Sequence, residues 1–312
     1  LSEFSLEVSI LFAIFAFRNV DMKPNTNTNL TNNQPMPWLV MYCNNGDISI
    51  LDILEHKKAE SKTTGILDFF VPLDVTRLVV EGKSIEHKRL IAGNYIFLRA
   101  TREDILRLRQ EPPFDATLRF LHPATSPTGC IYISDEEMLM MQKVVDIMEG
   151  EVEYFVPSSK ELMAGDIVSV FEGEFSGIKG VLESVKGHEG GCIIVPLGNV
   201  LAVRTPRISA NNLQLLDLAK VTDGKGKSYT SRAYKKVRTL IADSEKLLEE
   251  KKSQGSLSES SQLEAQRFVK RFSSLQLSGK IKTMHAQAIY NLLIALGDTE
   301  SDLFLHFKNM LP

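Results

Sequence analysis

The residue types that most often carry catalysis or metal binding are present in this chain but dispersed. Its six histidines stand at 56, 87, 122, 188, 285 and 306, and its three cysteines at 43, 130 and 192. Zinc and thiol chemistry need ligands a few residues apart, as in CxxC or HExxH, and neither spacing occurs. No GxSxG or GxxxxGK[ST] loop is present, and Gly190-Gly191 lacks the strand-to-helix setting of a phosphate cradle. Cys192 lies in an apolar run and reads as a buried thiol. Cysteines odd in number and scattered argue against a disulfide framework and for a reducing, cytoplasmic compartment. The expectation is a protein that binds rather than catalyses, with no metal and no cofactor.

The elements that would position a binding surface follow from length and pattern. A chain of 312 residues predicts two or three domains. With 43% hydrophobic and 24% charged residues it has a globular composition, and no stretch approaches the ~20 apolar residues that span a bilayer. The net charge of −3 hides an asymmetry: residues 36–159 hold 13 basic and 19 acidic groups, whereas residues 219–312 hold 16 and 10. A basic tail suits nucleic acid or an acidic protein face; a solvated lysine-rich helical surface is the plainer reading, and both stand.

Residues 1–35 are set apart as a flexible leader. Val8 to Phe17 has the length of a signal-peptide core, but its flanks carry Glu3 and Glu7 where a basic region belongs. The low-complexity run Asn25 to Asn33 cannot repay its ordering entropy. Met22 or Met36 as the true start, an export signal, and a helix docked on the body are the three readings of this segment.

From Met36 onward, Trp38 to Cys43 reads as a buried strand before the turn cluster Asn44-Asn45-Gly46. Asp47 would cap a helix carrying Ile50, Leu51 and Leu54 that ends at Gly65. Leu67 to Val71 reads as a strand, and Val75 to Val80 turns at Glu81-Gly82-Lys83 onto a strand spanning His87 to Leu98. Thr101 with Asp104 opens a helix that Pro112-Pro113 must end, and Ser134 with Glu137 forms a capping box before Met138, Met141, Val145 and Met148. That methionine stripe reads as core filling. An α+β domain with helices on a mainly antiparallel sheet is predicted over 36–149, then a linker over 150–160. Short strands with glycine corners over 161–218 predict a small β-barrel. An α-helical extension follows over 219–312: Tyr234, Val237, Ile241 and Leu248 form one stripe, Ser261 and Glu264 a capping box, Ile281 to Leu296 a helix ended by Gly297, and Ser301 a final cap. Lys251 to Ser260 reads as a polar linker between the first two helices.

These pieces, in this order, resemble a known family. Gly165-Asp166-Ile167-Val168-Ser169-Val170, then Glu172-Gly173-Glu174-Phe175-Ser176-Gly177, then Gly180-Val181, is similar to the KOW motif of the NusG/Spt5 transcription elongation factors. Trp38 to Cys43, the Phe70-Val71-Pro72 step and Gly93-Asn94-Tyr95-Ile96-Phe97-Leu98 are similar to the NusG N-terminal domain. The resemblance covers roughly residues 36 to 218, some 60% of the chain, and leaves the helical extension unexplained. Tyr42-Cys43 and Asn94-Tyr95-x-Phe97 favour the specialised RfaH-like paralogues, with the antiterminators of surface-polysaccharide operons as a narrower subgroup.

The resemblance implies a monomer whose N-terminal domain binds the clamp helices of RNA polymerase and stabilises processive transcription, with no membrane partner. By motif position, Tyr42, Tyr95 and Phe97 match aromatic residues of the polymerase-binding patch; core filling is the alternative for each, because alternation does not say which face is covered. Phe175 stands where the family presents a phenylalanine to ribosomal protein S10 or to Rho, with a barrel plug as the alternative. Asn44-Asn45 occupy the place of a basic pair that reads DNA. Contact with non-template DNA or nascent RNA would then fall to Lys83, Lys88 and Arg89 on the hairpin, or Arg102, Arg107 and Arg109 on the second helix. In the extension, Arg232, Lys235, Lys236, Arg238, Arg267, Lys270 and Arg271 form further basic clusters. The rival reading is a KOW-containing RNA-binding or ribosome-associated module.

Overall fold

Strand β1 (Trp38–Cys43) is the centre of the first sheet because it is apolar on both faces. The computed structural model describes residues 36–44, 48–80, 83–91, 94–122, 129–157, 162, 165–184, 190–222 and 227–311. The leader 1–35 lies outside them, as do Asn45-Gly46-Asp47, Glu81-Gly82, Gly93 and Ser158-Ser159. The chain divides into two compact units, residues 1–159 with 196–204 and residues 160–195 with 205–312. Residues 196–204 belong to the first unit, and the helical tail shares the second unit with the strands of the KOW-like segment.

In the first unit, β1 lies between β5 (Tyr95–Arg99) and β6 (Leu118–Phe120), with β2 (Asp68–Phe70) outside β5 and β7 (Tyr132–Ile133) also paired to β1. All these pairings are antiparallel, in a register that sets Leu39 against Leu98 and Met41 against Ile96. Alternation sends Leu39, Met41, Cys43, Ile96 and Leu98 to one face. There they share a core with Ile50 and Leu54 of α1 (Ile50–Ala59), Ile105 and Leu108 of α3 (Arg102–Leu108) and Phe114 of α4 (Phe114–Thr117). The short helix α2 (Ser61–Thr64) ends at Gly65, whose φ of 74° and close approach to Asp104 both require glycine: a Cβ there would lie 2.2 Å from the Asp104 Cγ.

Thr101 accepts from the Asp104 N–H while the Asp104 carboxylate accepts from Thr101, so α3 starts at its expected capping box. The helix closes at Leu108, ahead of the proline pair. Helix α5 (Asp135–Ile147) starts at the Ser134/Glu137 box, and its interior stripe is Met138, Met141 and Val144, with Val145 only half-buried. Strands β3 (Leu73–Val80) and β4 (Lys83–Leu90) form a two-stranded sheet of their own, paired from Leu73↔Leu90 to Val80↔Lys83. The hairpin therefore returns at Lys83 rather than at His87, and Tyr95–Arg99 is a separate strand of the main sheet. The expected linker contains strand β8 (Tyr154–Phe155), which pairs with β12 (Leu201–Arg204); Arg204 lies 4.9 Å over the Phe155 ring and bonds Glu153 at 3.1 Å.

In the second unit, β13 (Leu213–Asp217), β9 (Ile167–Val170), β10 (Lys179–Ser184) and β11 (Gly191–Leu197) are antiparallel neighbours in that order, β11 leaving the unit at Pro196. A hairpin of β14 (Lys220–Thr222) and β15 (Lys227–Tyr229) leads into α6 (Ser231–Gln254), followed by α7 (Glu259–Phe272), α8 (Lys280–Leu296) and α9 (Asp302–Asn309). Helix α8 is the apolar axis, with Ile281, Ala288, Ile289 and Leu292 buried, and α6, α7 and α9 pack on it. Helix α7 also covers the edge strand β13. Gln276 N–H donates to the Leu216 carbonyl at 3.0 Å, Gln214 Nε2 to the Lys270 carbonyl at 3.2 Å, and the Lys270 ammonium sits 4.0 Å over the Phe171 ring. An exposed strand edge invites foreign pairing, and here the extension meets part of it. The cap of α7 is Ser258, three residues before the expected Ser261. The reason is Glu250, which accepts from the Ser258 N–H and the Ser261 hydroxyl, while α6 runs on through the first four residues of the expected polar linker to Gln254.

Candidate functional site

At one end of the main sheet the first-strand tyrosine meets a second one. Tyr42 is the register partner of Tyr95 on β5 and of Arg119 on β6, which places the three side chains on one face, within cross-strand reach. Asn94 delivers Tyr95 to this place. It takes a positive φ of 46°, a conformation asparagine tolerates, donates its N–H to Ile91 and accepts from Cys43 at 2.9 Å. Tyr42, Tyr95 and Arg119 are all half-buried. The opposite end of the same face is sealed: Trp38 Nε1 donates to Asp135 at 2.9 Å, and Arg99 bonds the other oxygen of that carboxylate at 3.0 Å.

Phe97 does not join the exposed pair. It is 0% exposed and its ring lies 6.0 Å from that of Phe70, its partner on β2. Phe97, two residues further along β5 than Tyr95 and on the same face, is therefore corrected to a core position rather than an exposed patch. Phe175 is corrected likewise. Gly173 and Gly177, with φ of 92° and 87°, fold the loop back, Gly177 N–H bonding Val170 at 2.7 Å and Ser176 N–H bonding Gly173 at 3.0 Å. The Phe175 side chain is only 6% exposed, as a plug is.

The expected nucleic-acid residues fall into two groups. Lys83, Lys88 and Arg89 are exposed on β4, but Arg89 bonds Asp74 at 2.6 Å and Lys88 lies 3.4 Å from Glu86. Arg77 on β3 is matched by Glu86, Glu149 and Glu151, so much of the hairpin charge is compensated within its own surface. On α3, Arg107 is bonded to Asp104. Burial tends to raise the Asp104 pKa, but the Thr101 hydroxyl and the Arg107 guanidinium outweigh it and hold the carboxyl below its ordinary value. Arg102 and Arg109 lie over the Phe120 ring, at 5.7 and 5.5 Å, with the His122 ring 6.3 Å from it. Arg109 Nε is buried with no hydrogen-bond partner among the described residues. Phe120 and Arg119 escape sequence reading because their strand is three residues long, too short for a period to show.

Among the described residues, no group of three or more histidine, cysteine or acidic side chains could hold a metal ion, and no helix is long and apolar enough to cross a membrane. No protein-family model matches the chain, and no curated protein matches it. Among solved structures it has a likeness to one described as "Crystal Structure of MjSpt4:Spt5 complex conformation B", at 16% identity, covering 60% of this chain and 99% of that chain with a TM-score of 0.19. At that score the likeness carries no structural argument.

Proposed function

We propose that the chain is a transcription elongation or antitermination factor that binds RNA polymerase through its first unit. The observation that carries the reading is the Tyr42/Tyr95 pair, two half-exposed aromatic side chains at the open end of a face otherwise sealed. Binding energy at protein interfaces concentrates in such aromatic anchors, and tyrosine tolerates water until the partner arrives. The partner supported by the motif resemblance is the clamp helices, an apolar helical surface that two neighbouring phenol rings can grip. No bond is made or broken; the factor acts by holding the polymerase in its processive state on particular operons, those for surface polysaccharides among them. The KOW-like strands would recruit ribosomal protein S10 or Rho, through a surface other than the buried Phe175.

The test is recovery of RNA polymerase from lysate on the full-length tagged chain, with Tyr42→Ala and Tyr95→Ala combined. Truncating interface aromatics costs about 2 kcal/mol each, so affinity should fall by about three orders of magnitude and polymerase should be largely lost from the recovered fraction. Added salt should weaken wild-type binding only modestly, whereas the RNA-binding module of the rival reading would lose affinity steeply. No polymerase recovered, or an unchanged double variant, overturns the proposal.

A further inference from the structure

The excess positive charge of the C-terminal region is confined to a short stretch. Residues 220–238 contain seven basic residues and one acidic residue, a net +6, while residues 239–312 hold nine of each. The entire surplus of the extension therefore sits in the β14–β15 hairpin and the first two turns of α6. A lysine-rich helical surface present only for solubility spreads its charges among acids, as the rest of this extension does.

The structure sorts these seven residues. Lys220 bonds Asp217 at 3.0 Å and lies over the Tyr229 ring, and Lys236 turns inward to the Asp166 carboxylate. Lys225 lies outside the described residues, and only the backbone of Lys227 is described. Arg232, Lys235 and Arg238 remain on the solvent side of α6, opposite its buried Ala233, Val237 and Leu240. Among the described residues, none of the three is ion-paired. They are three apart, so they climb one ridge of the helix in steps of ~4.5 Å along the axis. Tyr234, 38% exposed, stands one turn before Arg238. The first acid on the helix, Asp243, comes more than a turn beyond.

We infer that this face of α6 is a binding site for the phosphate backbone of a nucleic acid strand, with Arg232, Lys235 and Arg238 neutralising phosphates and Tyr234 offering its ring to an unpaired base. A run of cations with no acid among them gains entropy by releasing the counterions of a polyphosphate, and one aromatic side chain within the run gives a single strand a stacking surface. Lys236 holds the helix in place through Asp166 while its neighbours face outward. The inference does not rest on polymerase binding by the first unit.

Fluorescence anisotropy of the full chain against a labelled oligouridylate 20-mer, a single-stranded DNA of equal length and a DNA duplex, each titrated at several salt concentrations, tests it. Arg232→Gln, Lys235→Gln and Arg238→Gln together should weaken binding about tenfold and flatten the log–log salt slope by about 2, since each lost contact to a single strand removes ~0.7. The control, Lys246→Gln with Lys252→Gln and Lys282→Gln, removes the same charge elsewhere and should leave affinity within about twofold. Tighter binding of the RNA assigns a transcript as the strand and tighter binding of the single-stranded DNA an unpaired strand of the template region, whereas tightest binding of the duplex overturns the stacking role of Tyr234. A single Lys235→Glu change, at an exposed position, should weaken binding more than Lys252→Glu does, and settles the matter should the triple variant fold poorly. Absence of binding to all three probes overturns the inference, as does equal loss in the triple variant and its control. The Tyr42→Ala/Tyr95→Ala protein should keep its oligonucleotide affinity, which separates this result from the polymerase test.

Discussion

The Lys236 ammonium on α6 bonds the Asp166 carboxylate, whose other oxygen accepts the Ala219 N–H at 2.9 Å. Asp166 immediately precedes β9, so one buried carboxylate ties the helical extension to the first strand of the KOW-like segment and to the end of β13. A buried charge with one partner removed is costly to retain. A double-mutant cycle of Asp166→Ala and Lys236→Met, read by urea unfolding, should return a coupling of about 1–3 kcal/mol. A coupling near zero would make the contact incidental to the docking of the helix.

Phe97 and Phe175, both drawn by motif position toward partner surfaces, should behave as core residues. Each Phe→Ala change should lower the unfolding free energy by about 3–5 kcal/mol, the Phe175 value toward the lower end because its loop can close over the space. Tyr42→Ala and Tyr95→Ala, at half-exposed positions, should cost clearly less. Thermal melts of the four single variants check this, and an unperturbed melt for Phe97→Ala would contradict its burial at 0%.

His285 on α8 is buried, and its Nε2 donates to the Phe272 carbonyl at 2.9 Å. Burial pushes its pKa below 6.5, with the Phe272 hydrogen bond opposing in part. In the unfolded chain the ring titrates near 6.5, so above that pH the residue is neutral in both states. As the pH falls below about 6.5 the unfolded state takes up the proton first, and stability declines until the folded pKa is passed, by at most ~1.4 kcal/mol per pH unit. Denaturation midpoints at pH 7.5 and 5.5 should differ more for the wild type than for His285→Gln. Equal pH dependence in the two proteins would show that other groups carry it.

The legible part of the fold was the local part. Thr101 and Ser134 cap α3 and α5 as their spacing to Asp104 and Glu137 predicts, and Gly297 and Ser301 bound α8 and α9 as read. Where local reading failed, a distant group intervened. Glu250 gathers Ser258 and Ser261, moving a cap and lengthening a helix, and the hairpin charges of Lys88 and Arg89 are met by Glu86 and Asp74 across or along the strands.

The candidate site divides in the same way. Strand alternation places Tyr95 and Phe97 on one face from sequence alone, the register of β1 against β5 adds Tyr42 to it, and the charge count marks the extension as basic. The closure of one end of that face by Trp38, Arg99 and Asp135, leaving Phe97 covered and the tyrosine pair half-open, was a tertiary decision. So was the sorting of basic residues into those bonded to carboxylates and those left outward on α6. The physical reason is range. Caps, periods and turns depend on neighbours within about one helical turn, so the chain states them itself, whereas exposure and ion pairing depend on which surface packs against them, across separations such as the 70 residues between Asp166 and Lys236.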